Sequence, residues 1–186
     1  MSLLIWNCHG LGNLVIEKEL GDLIRVKDPS IVFIAETWTD ETRLKKIKQN
    51  LQFDHMFFVL RIHRGRGLVL NWKEAMKLTV ETSSKNHIDY IIGKGSEEAW
   101  RFTGFYGEPN THKRYESWDL PRQLNSLFSL PWLCLGDFNE IVRGAKKKGG
   151  SNRSHAQMQW FREAIDECGF IDMGYKGSPF TWKKKF

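Results

Sequence analysis

The sequence predicts an α/β fold in which two β-sheets pack together with helices outside. Three observations point there. Helical and strand-like patterns alternate at both ends of the chain. The middle reads as a run of short strands. Several apolar runs are short, continuous and bounded by turn residues, as in strands buried on both faces.

The elements follow in order. Leu3 to Trp6 is apolar and ends at Asn7, with Gly10 and Gly12 in the turn. From Leu14 to Val26, the residues Val15, Ile16, Leu20, Leu23 and Ile24 recur at helical spacing until Asp28-Pro29 stops the pattern. Ser30 to Ala35 is a second buried strand, ending at Glu36-Thr37-Trp38. Asp40 is placed to N-cap a helix carrying Leu44, Ile47 and Leu51 on one face. Short strands are expected at 56–60, 68–72, 78–81, 88–92 and 102–106, as an antiparallel meander, with Arg64-Gly65-Arg66-Gly67 as a hairpin turn. Tyr115, Trp118, Leu124 and Leu127 suggest a helix that Pro121 should kink or split. Pro131 to Gly136 is a further buried strand, running into Asp137-Phe138-Asn139. A Lys/Gly/Ser/Asn-rich loop spans 143–154. Met158, Phe161, Ile165 and Cys168 then form a helical stripe stopped by Gly169. Residues 171–175 and 180–182 are expected to pair as a last hairpin.

Composition narrows the class. The 186 residues are enough for one domain with a sizeable core, and 41% hydrophobic content is that of a globular chain. A net charge of +6 with a pI near 9.2 favours polyanionic partners, nucleic acid among them. Three cysteines without CxxC spacing argue against a disulfide framework or a zinc knuckle. The six histidines show no paired metal spacing. No apolar run reaches the ~20 residues of a membrane span, and the N-terminus lacks the pattern of a signal peptide. These features point to a reducing, intracellular compartment, the nucleus included. A monomer without membrane attachment is expected.

Three strands deliver polar groups at their ends: Asn7, Glu36, and Asp137 with Asn139. A polar residue after a strand is most often a turn former, because Asn and Asp bond their own backbone. Three such ends after buried strands are harder to explain that way. Residues two apart on extended chain share a face, so Asp137 and Asn139 are expected to point together. Carboxylate and amide oxygens suit a hard cation, Mg²⁺ or Mn²⁺.

Trp6-Asn7-Cys8-His9-Gly10-Leu11-Gly12, Glu36-Thr37-Trp38, Arg66-Gly67-Leu68-Val69-Leu70-Asn71-Trp72, Phe102-Thr103-Gly104-Phe105-Tyr106-Gly107, Leu135-Gly136-Asp137-Phe138-Asn139 and Phe180-Thr181-Trp182 occur in that order. The set resembles the endonuclease/exonuclease/phosphatase family with its DNase I-like fold. It is most similar to the apurinic-like endonuclease domain of plant LINE-type (non-LTR) retrotransposons, and the resemblance covers almost the whole chain. It implies a four-layered α/β/β/α sandwich and Mg²⁺-dependent hydrolysis of DNA phosphodiesters, in a domain ancestrally fused to a reverse transcriptase. By position, Glu36 would be the principal metal ligand and Asn7 would support it. Asp137 would activate the attacking water, Asn139 would hold that aspartate and the phosphate, and Tyr106 would donate to a phosphate oxygen. Asn110 would contact the substrate backbone.

Lys148 and Arg153, in the basic loop, are candidates for DNA-backbone contacts, and Trp182 could touch DNA near the site. His9 stands where the plant domains commonly have Arg. The family pattern continues with an R-L-D-type strand and an S-D-H motif, and neither occurs in these residues. The last strands are therefore expected to be missing, the chain to be C-terminally truncated, and nuclease turnover to be weak or lost. Three rival readings stay open: another phosphoesterase branch of the superfamily, a non-catalytic remnant that only binds nucleic acid, and a broken gene fragment with no function.

Overall fold

A computed structural model describes residues 1–60 and 67–177. Among the described residues, eight strands and four α-helices run in the order β1 Leu3–Asn7, α1 Leu14–Lys27, β2 Ile31–Ala35, α2 Glu41–Asn50, β3 His55–Val59, β4 Leu68–Trp72, β5 Leu78–Ser84, β6 His87–Ile92, β7 Trp100–Tyr106, α3 Asp119–Asn125, β8 Trp132–Asp137 and α4 His155–Glu167. The strands form two mixed four-stranded sheets, ordered β1-β2-β4-β3 and β5-β6-β7-β8. Pairing is antiparallel except for β1 with β2 and β7 with β8.

The expected meander is divided between the two sheets. β3 pairs antiparallel with β4, which in turn pairs with β2, and only β5 to β7 run as a meander in the second sheet. Strand pairing is a non-local choice, which periodicity cannot express.

The chain clusters into two compact units. The first comprises Met1–Tyr106 and Leu130–Asp137 and contains both sheets; the second begins at Gly107–Ser129 and resumes at Phe138. In the first unit, one apolar cluster fills the space between the sheets. Ile31, Phe33, Leu68 and Leu70 from one side meet Ile88, Tyr90 and Phe102 from the other. A side chain at Gly104 of β7 would place its Cβ 2.4 Å from the Phe33 ring, so this close approach requires glycine.

A second cluster lies on the other face of the first sheet. There Val32, Ile34 and Val69 meet Leu20 of α1 and Leu44 and Ile47 of α2. Only part of the apolar stripe read from α1 turns inward. Ile16, Leu20 and Ile24, four residues apart, pack on the core, whereas Val15 is 63% and Leu23 37% exposed. The helix starts where Asn13 accepts from Val15 N at 2.9 Å, and it ends at Asp28 with φ +41°. Asp40 caps α2 as expected, accepting from Arg43 N at 2.9 Å.

In the second unit, Trp118 stacks on Phe161 at 4.5 Å between ring centroids, and Phe138 lies 5.4 Å from the same ring. The helix expected around Pro121 is split. A 3₁₀ stretch covers Thr111–Trp118, and Pro121 lies in the first turn of α3, where its missing N–H is tolerated. Gly169 follows α4 with φ +67°, the left-handed stop read from the sequence. Residues 171–175, expected as a strand, are irregular, with Ile171 and Met173 more than 80% exposed. Their expected partner, 180–182, lies outside the described residues, as do Arg64 to Arg66 of the expected hairpin turn. Among the described residues no helix is long and apolar enough to cross a membrane.

His87 gives the first unit a pH dependence. The ring is buried, contacts Thr82 Oγ1 at 3.0 Å and Ser84 Oγ at 2.8 Å, and lies in the field of Arg101. Burial, with the Arg101 charge second, lowers its pKa to about 4. Between pH ~6.5 and 4 the unfolded chain takes up a proton that the folded chain refuses. This contribution is therefore complete above pH ~6.5 and is lost as pH falls through the folded value, about 3 kcal/mol in all. Urea midpoints measured from pH 7 to pH 4 should fall, and should fall less steeply for His87→Gln. Equal slopes in this window would contradict the assignment.

Candidate active site

The first unit brings four sequence-predicted residues together through its two parallel strand pairs. In the first pair Asn7 of β1 is in register with Ala35 of β2, so both strands stop at one level. The two following turns are laced together: Gly10 N donates to Glu36 O and Leu11 N to Thr37 O, each at 2.8 Å. Glu36 leaves β2 in the left-handed region with φ +59°, and His9 (φ +50°) and Trp38 (φ +47°) share that conformation. Three non-glycine residues held there in two adjoining turns mark backbone strain of the kind that gathers at functional sites. Beneath them the Cys8 thiol approaches Ala35 O and Glu36 O at 3.5 and 3.6 Å. Burial pushes the Cys8 pKa up to about 11, so it serves as a neutral donor rather than a nucleophile.

In the second pair Tyr106 of β7 is in register with Asp137 of β8. Asn86 anchors the end of β7, donating from its side chain to Tyr106 O and accepting from Tyr106 N, both at 2.7 Å. Gly136 precedes Asp137 with φ +151°; a Cβ there would lie 1.8 Å from Phe105 O. Only glycine lets β8 approach β7 this closely and turn Asp137 into place.

Asn7 Nδ2 donates to Asp137 Oδ2 at 2.8 Å and to Glu36 Oε1 at 3.2 Å, so one amide bridges two carboxylates. The buried Tyr106 hydroxyl also donates to Glu36 Oε1, and His9 Nδ1 lies 2.6 Å from Glu36 Oε2. Glu36 is therefore held from both oxygens. Because both protons of Asn7 Nδ2 face carboxylates, its oxygen is turned away from them. That Oδ1 is buried and accepts no hydrogen bond.

These donors fit a hard divalent cation. Two carboxylates held together by one amide are oxygen ligands of the kind Mg²⁺ and Mn²⁺ take, with waters completing the shell. No group of three or more His, Cys, Asp or Glu side chains suited to a metal converges among the described residues. The fit rests on the two acids that the Asn7 amide nitrogen brings together.

The remaining predicted residues belong to the second unit or lie outside the described residues. β8 ends at Asp137, and Asn139 takes a left-handed φ of +56°, so strand alternation does not reach it. Its Nδ2 donates to Gly107 O at 3.0 Å. Asn110 caps the 3₁₀ stretch, accepting from His112 N at 3.1 Å. Lys148 lies in an exposed loop, and Arg153 is ion-paired with Glu140 at 3.5 Å. Trp182 is outside the described residues. The sequence reading missed the His9 contact with Glu36; 27 residues separate them and no local pattern links them.

The fold and the matched family agree. Similar solved structures include the apurinic endonuclease LMAP from Leishmania major, with a TM-score of 0.68 and 14% identity over 89% of this chain and 66% of that one. The NExo 3′-5′ exonuclease from Neisseria meningitidis gives 0.69 and 15% over 90% and 71%. The endonuclease domain of TRAS1, a telomere-specific non-LTR retrotransposon, gives 0.61 and 14% over 90% and 71%. This chain thus spans about two thirds of the length of these structures, and at such identities they establish its fold. No curated protein matches the sequence. The model of the endonuclease/exonuclease/phosphatase family matches residues 4–183, nearly the whole chain, and to that family this chain belongs.

Proposed function

We propose that the chain is a metal-dependent phosphodiesterase domain of the DNA-nicking, LINE-retrotransposon kind, taking Mg²⁺ or Mn²⁺ as its ion and DNA as its substrate. One observation carries the reading: the Glu36 and Asp137 carboxylates, from different sheets, are bridged by the Asn7 amide. The ordered motifs of the sequence and the similar fold of a retrotransposon endonuclease domain support the LINE assignment. In this reading the domain derives from a longer polyprotein with a reverse transcriptase and works in the nucleus.

Glu36 would hold the ion, supported by the Asn7 amide that bridges it to Asp137, and the ion when bound would polarise a phosphoryl oxygen. Asp137, next to them, accepts the proton of the attacking water. Tyr106 and His9 orient Glu36 by occupying its two oxygens. Asn139, Asn110, Lys148 and Arg153 contact the phosphate and its backbone.

None of the 186 residues supplies the histidine that the family resemblance places on the scissile phosphate. A positioned acid/base group is worth about 10²- to 10⁴-fold in rate. These residues alone should therefore bind metal and DNA while nicking slowly. Duplex binding and supercoiled-plasmid nicking, each with and without Mg²⁺, test the proposal. Salt-sensitive DNA binding with weak Mg²⁺-dependent nicking is expected. Absence of DNA binding overturns the DNA reading, and robust nicking abolished by Glu36→Ala overturns the slow-turnover statement.

A further inference from the structure

The second unit holds a buried charge cluster that its apolar core does not explain. Arg114 is 3% exposed, and its guanidinium joins two chain segments. Nε donates to Glu108 O at 3.0 Å, Nη2 to Pro109 O at 2.9 Å and Nη1 to Glu140 Oε2 at 3.1 Å. The segment after β7, which carries Asn110, is thereby tied to the segment after β8, which carries Asn139. The other Glu140 oxygen accepts from Ile141 N at 3.0 Å and lies 3.5 Å from Arg153 Nε. The Glu140 side chain is wholly buried, that of Arg114 is 4% exposed and that of Arg153 27%.

Two cations share one anion. Arg114 alone would neutralise Glu140, so Arg153 leaves the cluster with one positive charge in excess. Its buried Nε makes no hydrogen bond, because the ion pair lacks hydrogen-bond geometry. A half-buried guanidinium with unused donors is costly unless an anion meets it. A phosphodiester matches its planar fork. The surrounding loop strengthens that preference: 143–154 carries three lysines and two arginines and no acidic residue.

We propose that Glu140 is a positioning residue for nucleic-acid binding. Held in place by Arg114, it sets Arg153 so that the remaining N–H groups of that guanidinium meet a DNA backbone phosphate. The inference rests on the DNA reading above and extends it to two residues, Glu140 and Arg114, that the motifs did not assign.

A double-mutant cycle on the full chain tests it, read as fluorescence anisotropy of a labelled duplex at several salt concentrations. Arg153→Ala should weaken binding about 10-fold and lower the salt slope by about one phosphate contact. In the Glu140→Gln background the same change should cost less than about 3-fold, because Arg153 is no longer held. Glu140→Gln keeps an oxygen for Arg114; if it fails to fold, Glu140→Asp provides the second background. An equal loss from Arg153→Ala in both backgrounds makes Glu140 merely structural and overturns the proposal, as does no loss in either. Absence of duplex binding by the unaltered chain would overturn the DNA reading together with this one, so the two failures are distinguishable.

Discussion

Glu36→Gln will lower Mn²⁺ affinity by on the order of 10²- to 10³-fold. Removing a partner that orients a metal ligand typically costs 10- to 100-fold, and loss of the ligand's own charge must cost more. Glu36 is the most heavily supported acid of the site, with Asn7 and Tyr106 on one oxygen and His9 against the other. Such support restrains the carboxylate in one orientation, so little ordering remains when an ion arrives. The effects should be graded. Tyr106→Phe removes only a hydroxyl that donates to Glu36 and should cost about 10-fold. Asp137→Asn should fall between the two. Mn²⁺ titration followed by electron paramagnetic resonance reads all three without requiring turnover. Unchanged affinity in Glu36→Gln would remove Glu36 from the metal site, and the proposed chemistry with it.

The second large effect is structural. Gly136→Ala places a Cβ 1.8 Å from Phe105 O, and neither atom can yield without moving a strand. The backbone is also at φ +151°, where side chains are rarely tolerated. Overpacking and backbone strain each cost about 1–3 kcal/mol. Together they should lower Tm by roughly 4–24 °C in a chain of this size. Mn²⁺ affinity should fall as well, because Asp137 follows directly. Gly144→Ala is the control, with nothing within 4 Å of the added carbon and an ordinary φ; it should leave Tm within about 1–2 °C. A Gly136→Ala chain that melts like its parent would mean that β7 and β8 are not held at this spacing.

Much of this candidate site is legible in the sequence, for a physical reason. A strand buried on both faces is written as a continuous apolar run, so its end is visible, and a polar residue at that end stands out. Asn7, Glu36 and Asp137 lie where apolar runs stop, but of their strands only β2 is buried throughout. β1 and β8, also expected to be buried, are partly exposed edge strands, and Tyr106 was assigned by the family resemblance. What was illegible is non-local or conformational. β3 and β4 read like β5 and β6, and only their pairing assigns them to different sheets. Asn139 looked like the next inward position of β8 until its left-handed backbone ended the alternation. Glu140 reads as an ordinary surface acid, because Arg114, 26 residues earlier, has no periodic relation to it. The helical stripe of α1 was only half right, since periodicity places residues around an axis without saying how wide the covered face is.

The bond from Asn7 to Asp137 and the bond from Tyr106 to Glu36 each join one sheet to the other. The site therefore works as a gauge of inter-sheet shear. Sliding by a fraction of an ångström, too small to disturb either sheet internally, changes the separation of the two acids directly. The Phe33 ring seated on Gly104 controls that slip from within the core. Under the proposed metal reading, ion affinity would be set partly by the mechanical stiffness of the interior, and residues that never approach the ion would belong to its coordination energetics.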